Sequence, residues 1–151
     1  MLFRSKDFLY IRNFKPDRWP LGSPYEVTET SAPTHNELAN NTRVAFPDMD
    51  ASLTKAWLVE HRHEAQWKWH YDYAFAKRPA EELFDLRTDP DEVQNVATDP
   101  AYASKRQELS DLLMKELTAA ADPRVTGDGS TFDKPPYSEP EGGARATKRA
   151  Q

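Results

Sequence analysis

The chain has 151 residues, of which 38% are hydrophobic and 30% charged, with a net charge of −5 and a mean hydropathy of −0.86. That length suits one ordinary domain and excludes two comfortable ones, and no stretch approaches the ~20 apolar residues that a membrane-spanning helix needs. The 20 Lys and Arg are scattered among 25 Asp and Glu, which argues against a nucleic-acid binder with a basic face, and the absence of cysteine excludes disulfide scaffolds, thiolate metal sites and cysteine nucleophiles.

Residues 8–14 (Phe-Leu-Tyr-Ile-Arg-Asn-Phe) are rich in aromatic and β-branched side chains and predict a strand, with Ser5-Lys6-Asp7 as the turn before it. Met1 to Arg4 then reads as the tail of a preceding strand. This raises the expectation of a missing N-terminal part, with a short hairpin arm as the other reading. The first seven residues lack the apolar run and cleavage site of a signal peptide. Residues 15–50 carry Pro16, Pro20, Pro24, Pro33 and Pro47 without a sustained period, so a long irregular excursion is expected.

Ser52 is placed to cap a helix through Glu60, with Leu53 and Trp57 on one face. A second helix is expected from about 64 to 75, carrying Trp67, Tyr71, Ala74 and Phe75 at helical spacing, and Pro79 follows it. Glu82 to Leu86 alternates as a strand, and Asp89-Pro90 marks a turn. Asp99-Pro100 is a strong helix start, and Tyr102, Leu109, Leu112, Leu113 and Leu117 make one apolar stripe along a helix over about 100–120, stopped by Asp122-Pro123. Residues 130–151 contain no Leu, Ile, Val, Met or Trp, so a disordered tail is expected over 127–151.

Chemistry-bearing motifs are sparse. His61 and His63, beside Glu60 and Glu64, suggest a metal site, but i and i+2 point apart on a helix and a solvated helix end is the plainer reading. No phosphate loop and no G-x-S-x-G elbow occur. The carboxylate pairs Glu81/Glu82 and Asp91/Glu92 sit beside turns and read as solvated. Asn40-Asn41-Thr42 is a glycosylation sequon. Arg4, Lys6, Arg12, Lys15 and Arg18, interleaved with Tyr10, Phe14 and Trp19, form a basic N-terminal region. It could meet a sulfated sugar through guanidinium forks, or be a strand with charged outward positions.

The stretch from Arg78 to Ala97 contains Glu82-Leu83-Phe84-Asp85-Leu86-Arg87-Thr88-Asp89-Pro90-Asp91-Glu92-Val93-Gln94-Asn95-Val96-Ala97. It resembles the E-L-Y-D-L-x-x-D-P-x-E-x-x-N-L-A segment near the C-terminus of the sulfatase family, with Phe84 for Tyr and Val96 for Leu. Residues 4–13 match the R-T-x-x-Y-K-Y-I-x-N strand pair that precedes that segment. Within sulfatases the chain is most similar to the N-sulfoglucosamine sulfohydrolases (heparan N-sulfatases), through the Pro-rich excursion and the stretch Gln94 to Pro100.

The resemblance, over about residues 2–126, implies an α+β fold: a small antiparallel sheet packed with a long C-terminal helix, plus an irregular Pro-rich loop and a disordered tail. Residues 1–126 would be a sulfatase C-terminal subdomain, N-terminally truncated. In the family a Cys or Ser in a C/S-x-P-x-R motif becomes formylglycine, whose hydrate attacks sulfur beside a bound Ca²⁺. The resemblance implies both groups for the full-length enzyme and neither in this chain, so no catalytic and no metal-binding residue is assigned. Ser31-Ala32-Pro33-Thr34-His35 starts like that motif, but His35 replaces the Arg and an irregular setting is expected. The implied partners are the missing catalytic domain and a sulfated glycan, with neither nucleic acid nor membrane. His70, Lys77 and Arg78 are the candidate substrate contacts. Full-length relatives are typically periplasmic, secreted or lysosomal. A free-standing module binding anionic glycans or a protein, without catalysis, is the other reading.

Overall fold

The computed structural model describes residues 1–137. It divides into two compact units, one holding residues 1–14 together with the chain from residue 81 onward, the other holding residues 15–80.

The first unit is built on three strands, β1 (Leu2–Arg4), β2 (Phe8–Arg12) and β3 (Glu81–Asp85), antiparallel in the order β1-β2-β3. Ser5 makes the first turn, its Oγ accepting from the Phe8 and Asp7 amides. Register places Tyr10 opposite Leu83 and Leu9 opposite Phe84. Because side chains alternate along a strand, Phe8 and Tyr10 share one face with Leu83, and Leu9 and Phe84 share the other. All five are buried.

Helix α4 (Ala103–Ala119) packs on β1 and β2, and its Leu109, Leu113 and Leu117 close a core with Phe8, Tyr10, Leu83 and Ala97. Each such leucine contributes about 1.5–3 kcal/mol on burial. The expected helix over 100–120 is thus largely as read, but its first turn, Pro100–Tyr102, is 3₁₀. The Asp99 carboxylate holds the Ala101 amide at 2.8 Å and tightens that entry. At the other end Ala121 takes a left-handed φ of 52°, and Asp122 caps a further short helix, α5 (Pro123–Thr126). Of the expected tail, residues 127–137 carry a 3₁₀ turn at Thr131–Asp133, and residues 138–151 lie outside the described residues.

The second unit holds α1 (His35–Asn40), α2 (Leu53–Glu60) and α3 (Ala65–Phe75) around Val27, Leu38, Phe46, Ala56, Val59 and Phe75. The excursion is therefore more regular than expected. Thr34 and Glu37 form a capping box that starts α1, and Asn41 caps a 3₁₀ turn at Thr42–Val44. The rest is pinned by backbone and cations. Phe46 donates to the Ser23 carbonyl and Asp48 to that of Leu21. Between them Gly22, at φ 81°, lies where a Cβ would meet Pro47 Cδ at 2.7 Å. Arg62 donates to the carbonyls of Val59, Thr28 and Ser31. Helix α2 also turns a different face inward from the one expected. Lys55, Ala56 and Val59 are buried, whereas Leu53 is 71% and Trp57 43% exposed. Among the described residues no helix is long and apolar enough to cross a membrane.

Candidate functional site

The candidate contacts His70, Lys77 and Arg78 lie on α3 and the extended segment after it. Helix α3 turns Tyr71, Ala74 and Phe75 toward the core of its unit. The opposite side presents Trp69 and Tyr73, one turn apart, with rings stacked at 5.1 Å and 20° between planes. His70 lies edge-on to Trp69, with ring centroids 4.9 Å apart. The Arg78 guanidinium sits 5.3 Å over the Tyr73 ring and donates to the Tyr73 carbonyl. Two of the three predicted residues, His70 and Arg78, are therefore joined through the Trp69–Tyr73 stack. Lys77 stands apart on Trp19, its ammonium 5.2 Å from that ring. Trp69 and Tyr73 were not legible as site residues, because in Trp67-Lys68-Trp69-His70-Tyr71-Asp72-Tyr73 an aromatic stands at every other position and no single face stands out.

Within the first unit, two of the basic N-terminal residues are engaged by carboxylates. Arg4 pairs with Glu92, and Arg12 reaches Glu81 at 3.4 Å. Lys15, Arg18 and Trp19 belong to the other unit. The carboxylate of Glu81 also accepts from the Tyr10 hydroxyl at 2.5 Å and lies 3.8 Å from Arg106. Glu81 and Glu82, expected beside a turn and solvated, are instead within β3. Glu82 is buried and accepts from Asn13 Nδ2 at 2.8 Å.

The segment that carries the resemblance is a structural lock. The Asp85 carboxylate is buried, takes the Arg87 guanidinium as a fork at 2.6 and 2.7 Å and accepts from the Tyr102 hydroxyl at 3.1 Å. The Arg87 hydrogen bonds hold its pKa down at about 2. Asp89 accepts from the Val93 and Gln94 amides. Asn95 Oδ1 accepts from the Leu83 and Ala97 amides, and Val96 donates to the Leu83 carbonyl, so residues 95–96 occupy the outer edge of β3. These groups are engaged within the fold, Asp85 by side chains and Asp89 and Asn95 by backbone amides.

Three of the four histidines pair with carboxylates: His35 Nδ1 with Glu60 at 2.9 Å, His61 with Glu64, and His63 with Glu29 at 3.8 Å. Among the described residues no group of three or more His, Cys, Asp or Glu is placed to hold a metal ion. The residues present thus do not fit the Ca²⁺ of the sulfatase resemblance, and no cysteine is present to become formylglycine. The segment Ser31 to His35 proves to lead into α1, with Thr34 as its N-cap, so its expected irregular setting is corrected. His35 in place of Arg remains the departure.

Comparison with known proteins adds one relative. The chain is 32% identical over 119 residues to an ulvan-active sulfatase of Formosa agariphila. The matched region is 79% of this chain and 16% of that protein, so the chain spans a small part of its relative's length. No family profile matches the chain. No solved structure matches it. The small antiparallel sheet with its long helix is an α+β fold that fits the sulfatase C-terminal subdomain. The chain is thus similar, over most of its own length, to a small part of one sulfatase.

Proposed function

We propose that this chain is the C-terminal subdomain of a sulfatase that hydrolyses sulfate ester or N-sulfate groups on a saccharide. Its own part is structural and pocket-shaping, and the formylglycine and Ca²⁺ belong to a catalytic domain N-terminal to it. The observation that carries this is the similarity to one sulfatase over 79% of the chain but 16% of that protein. The Asp85–Asn95 region supports it, since its carboxylates and amides are engaged in holding the fold. His70 and Arg78, beside the exposed rings of α3, and Lys77 on Trp19 are the proposed sugar contacts.

Two substrate classes follow from two observations. The long excursion of residues 15–50 and the Gln94–Pro100 stretch favour an N-sulfated glucosamine, as in heparan N-sulfatases. The relative's activity on ulvan favours a sulfate ester of a polysaccharide. The test is an in-frame coding sequence upstream containing C/S-x-P-x-R, followed by expression of the longer polypeptide. That protein should release sulfate from an aryl sulfate and from either a sulfamate sugar or ulvan, whereas the 151-residue chain should release none. Turnover by the 151-residue chain itself would overturn the proposal.

A further inference from the structure

The hydrophobic effect drives large aromatic side chains out of water, and a helix on a core normally turns them inward. Helix α3 does this with Phe75, yet leaves Trp69 51% and Tyr73 41% exposed. Both rings are held in place by their near-parallel stack, so little side-chain freedom remains to be lost when a ligand seats on them.

The charges around the stack narrow what that ligand is. Lys68 and Asp72, on the same helix, pair at 2.6 Å, and Glu64 is bonded to His61. Arg78 lies over Tyr73, its fork suited to a pair of oxygens on a sulfate or carboxylate. His70 lies against Trp69 and continues the run of rings to Trp67, 5.7 Å away. Stacked on each other, the two rings cover their facing sides, and Arg78 lies over Tyr73, so the flat surface on offer is the outer face of Trp69: the C–H face of a pyranose lies there, and an anionic substituent meets the cation.

We propose that Trp69, backed by Tyr73, is a docking platform for a strand of sulfated polysaccharide, with Arg78 taking one anionic substituent. The choice of a sulfated saccharide rests on the sulfatase reading, while the platform itself is read by binding, without turnover.

The experiment is affinity electrophoresis of the full 151-residue chain in native gels containing dextran sulfate, ulvan or neutral dextran. Dextran sulfate and ulvan should retard the chain and neutral dextran should not. Trp69→Ala and Tyr73→Ala should each weaken retention about tenfold, Arg78→Gln should weaken it several-fold, and Trp69→Phe should retain most of it. The melting temperature should fall only slightly, because Tyr71, Ala74 and Phe75, and not these rings, join α3 to the core of its unit. No retention of the wild-type chain, equal retention by neutral dextran, or unchanged retention of Trp69→Ala and Tyr73→Ala each overturns the platform. Those outcomes leave the sulfatase reading standing, since that is decided by sulfate release from the longer polypeptide. A longer polypeptide that releases no sulfate, with retention intact, would overturn only the sulfatase reading.

Discussion

Lys55 Nζ donates to the carbonyl of Phe46 at 3.1 Å, and neither residue has exposed surface. The same ammonium donates to the carbonyls of Thr42 at 3.2 Å and Met49 at 2.9 Å. A buried cation thus collects three carbonyls, of which that of Phe46 also accepts from the Met49 amide at 3.0 Å, and it ties down the segment in which Phe46 takes a left-handed φ of 43°.

Lys55→Met should therefore destabilise the chain by about 2–4 kcal/mol, although methionine fills much the same volume. The cost is the loss of donors for buried carbonyls rather than a cavity. Urea denaturation measures it. A loss no larger than that of Thr54→Ala on the same helix would show that water satisfies those carbonyls equally well.

Asn95 plays the corresponding part in the first unit, where its Oδ1 accepts from Leu83 and Ala97. Asn95→Ala leaves two amides without their acceptor and should cost about 2–3 kcal/mol. Asn95→Asp keeps the acceptor and should cost less. Thermal melts of the three proteins order them, and equal melting temperatures for Ala and Asp would refute the role of the oxygen.

These two residues also mark where the sequence was readable. The strands, α4 and its Leu109–Leu113–Leu117 stripe follow from local periodicity, because one face of each meets one core. The inward face of α2 did not, because Lys55 is a buried residue that no hydrophobic pattern can flag, and the exposed Leu53 and Trp57 mimic a core stripe. Helix α1 has only six residues. Its Thr34–Glu37 capping box was present in the sequence but lay between prolines that pointed to a loop. Of the candidate site, His70 and Arg78 were legible by residue type. The Trp69–Tyr73 stack that joins them needed three-dimensional placement.

Acid should unlock the Asp85 cluster. Arg87 holds the Asp85 carboxyl down at about 2 in the folded chain, against ~3.9 for a free aspartate. Between those values the unfolded chain binds more protons, so the contribution of Asp85 to stability is full above about pH 4 and is lost as the pH falls toward 2. Asp85→Asn should lower the melting temperature at pH 7 and flatten its fall between pH 5 and 2. A parallel pH profile for wild type and variant would exclude Asp85 as a source of the acid sensitivity.

Tyr10 offers a spectroscopic check on the sheet. Burial, and then its hydrogen bond to Glu81, push the Tyr10 phenol above its ordinary range. Tyr71 is raised by burial, and Tyr102 by its hydrogen bond to Asp85. Glu81→Gln removes a negative charge beside one of these three phenols. In ultraviolet titration one tyrosine should then move to lower pH, while the other raised phenols hold their places. An unchanged curve would mean that burial alone sets the Tyr10 value.

The end of α4 predicts a gain rather than a loss. The Asp122 amide donates to the Leu117 carbonyl at 2.9 Å and the Ala121 amide to that of Thr118 at 3.0 Å, the paired bonds of a Schellman motif. Such a motif places its C′ residue in the left-handed region, where glycine is usual because a Cβ crowds the following carbonyl. Here that residue is Ala121, at φ 52°. Ala121→Gly removes the crowding but also frees the unfolded chain, which returns part of the gain. The net effect should be a stabilisation of about 0.5–1 kcal/mol. Ala121→Val, which adds branching at the same Cβ, should destabilise by a similar amount or more. The opposed signs are the useful part. A cost that simply followed side-chain volume in a packed site would make glycine harmful, whereas backbone crowding makes glycine the best residue and valine the worst. Melting curves of the wild type and the two variants decide between them, and a lower melting temperature for Ala121→Gly would refute the backbone explanation.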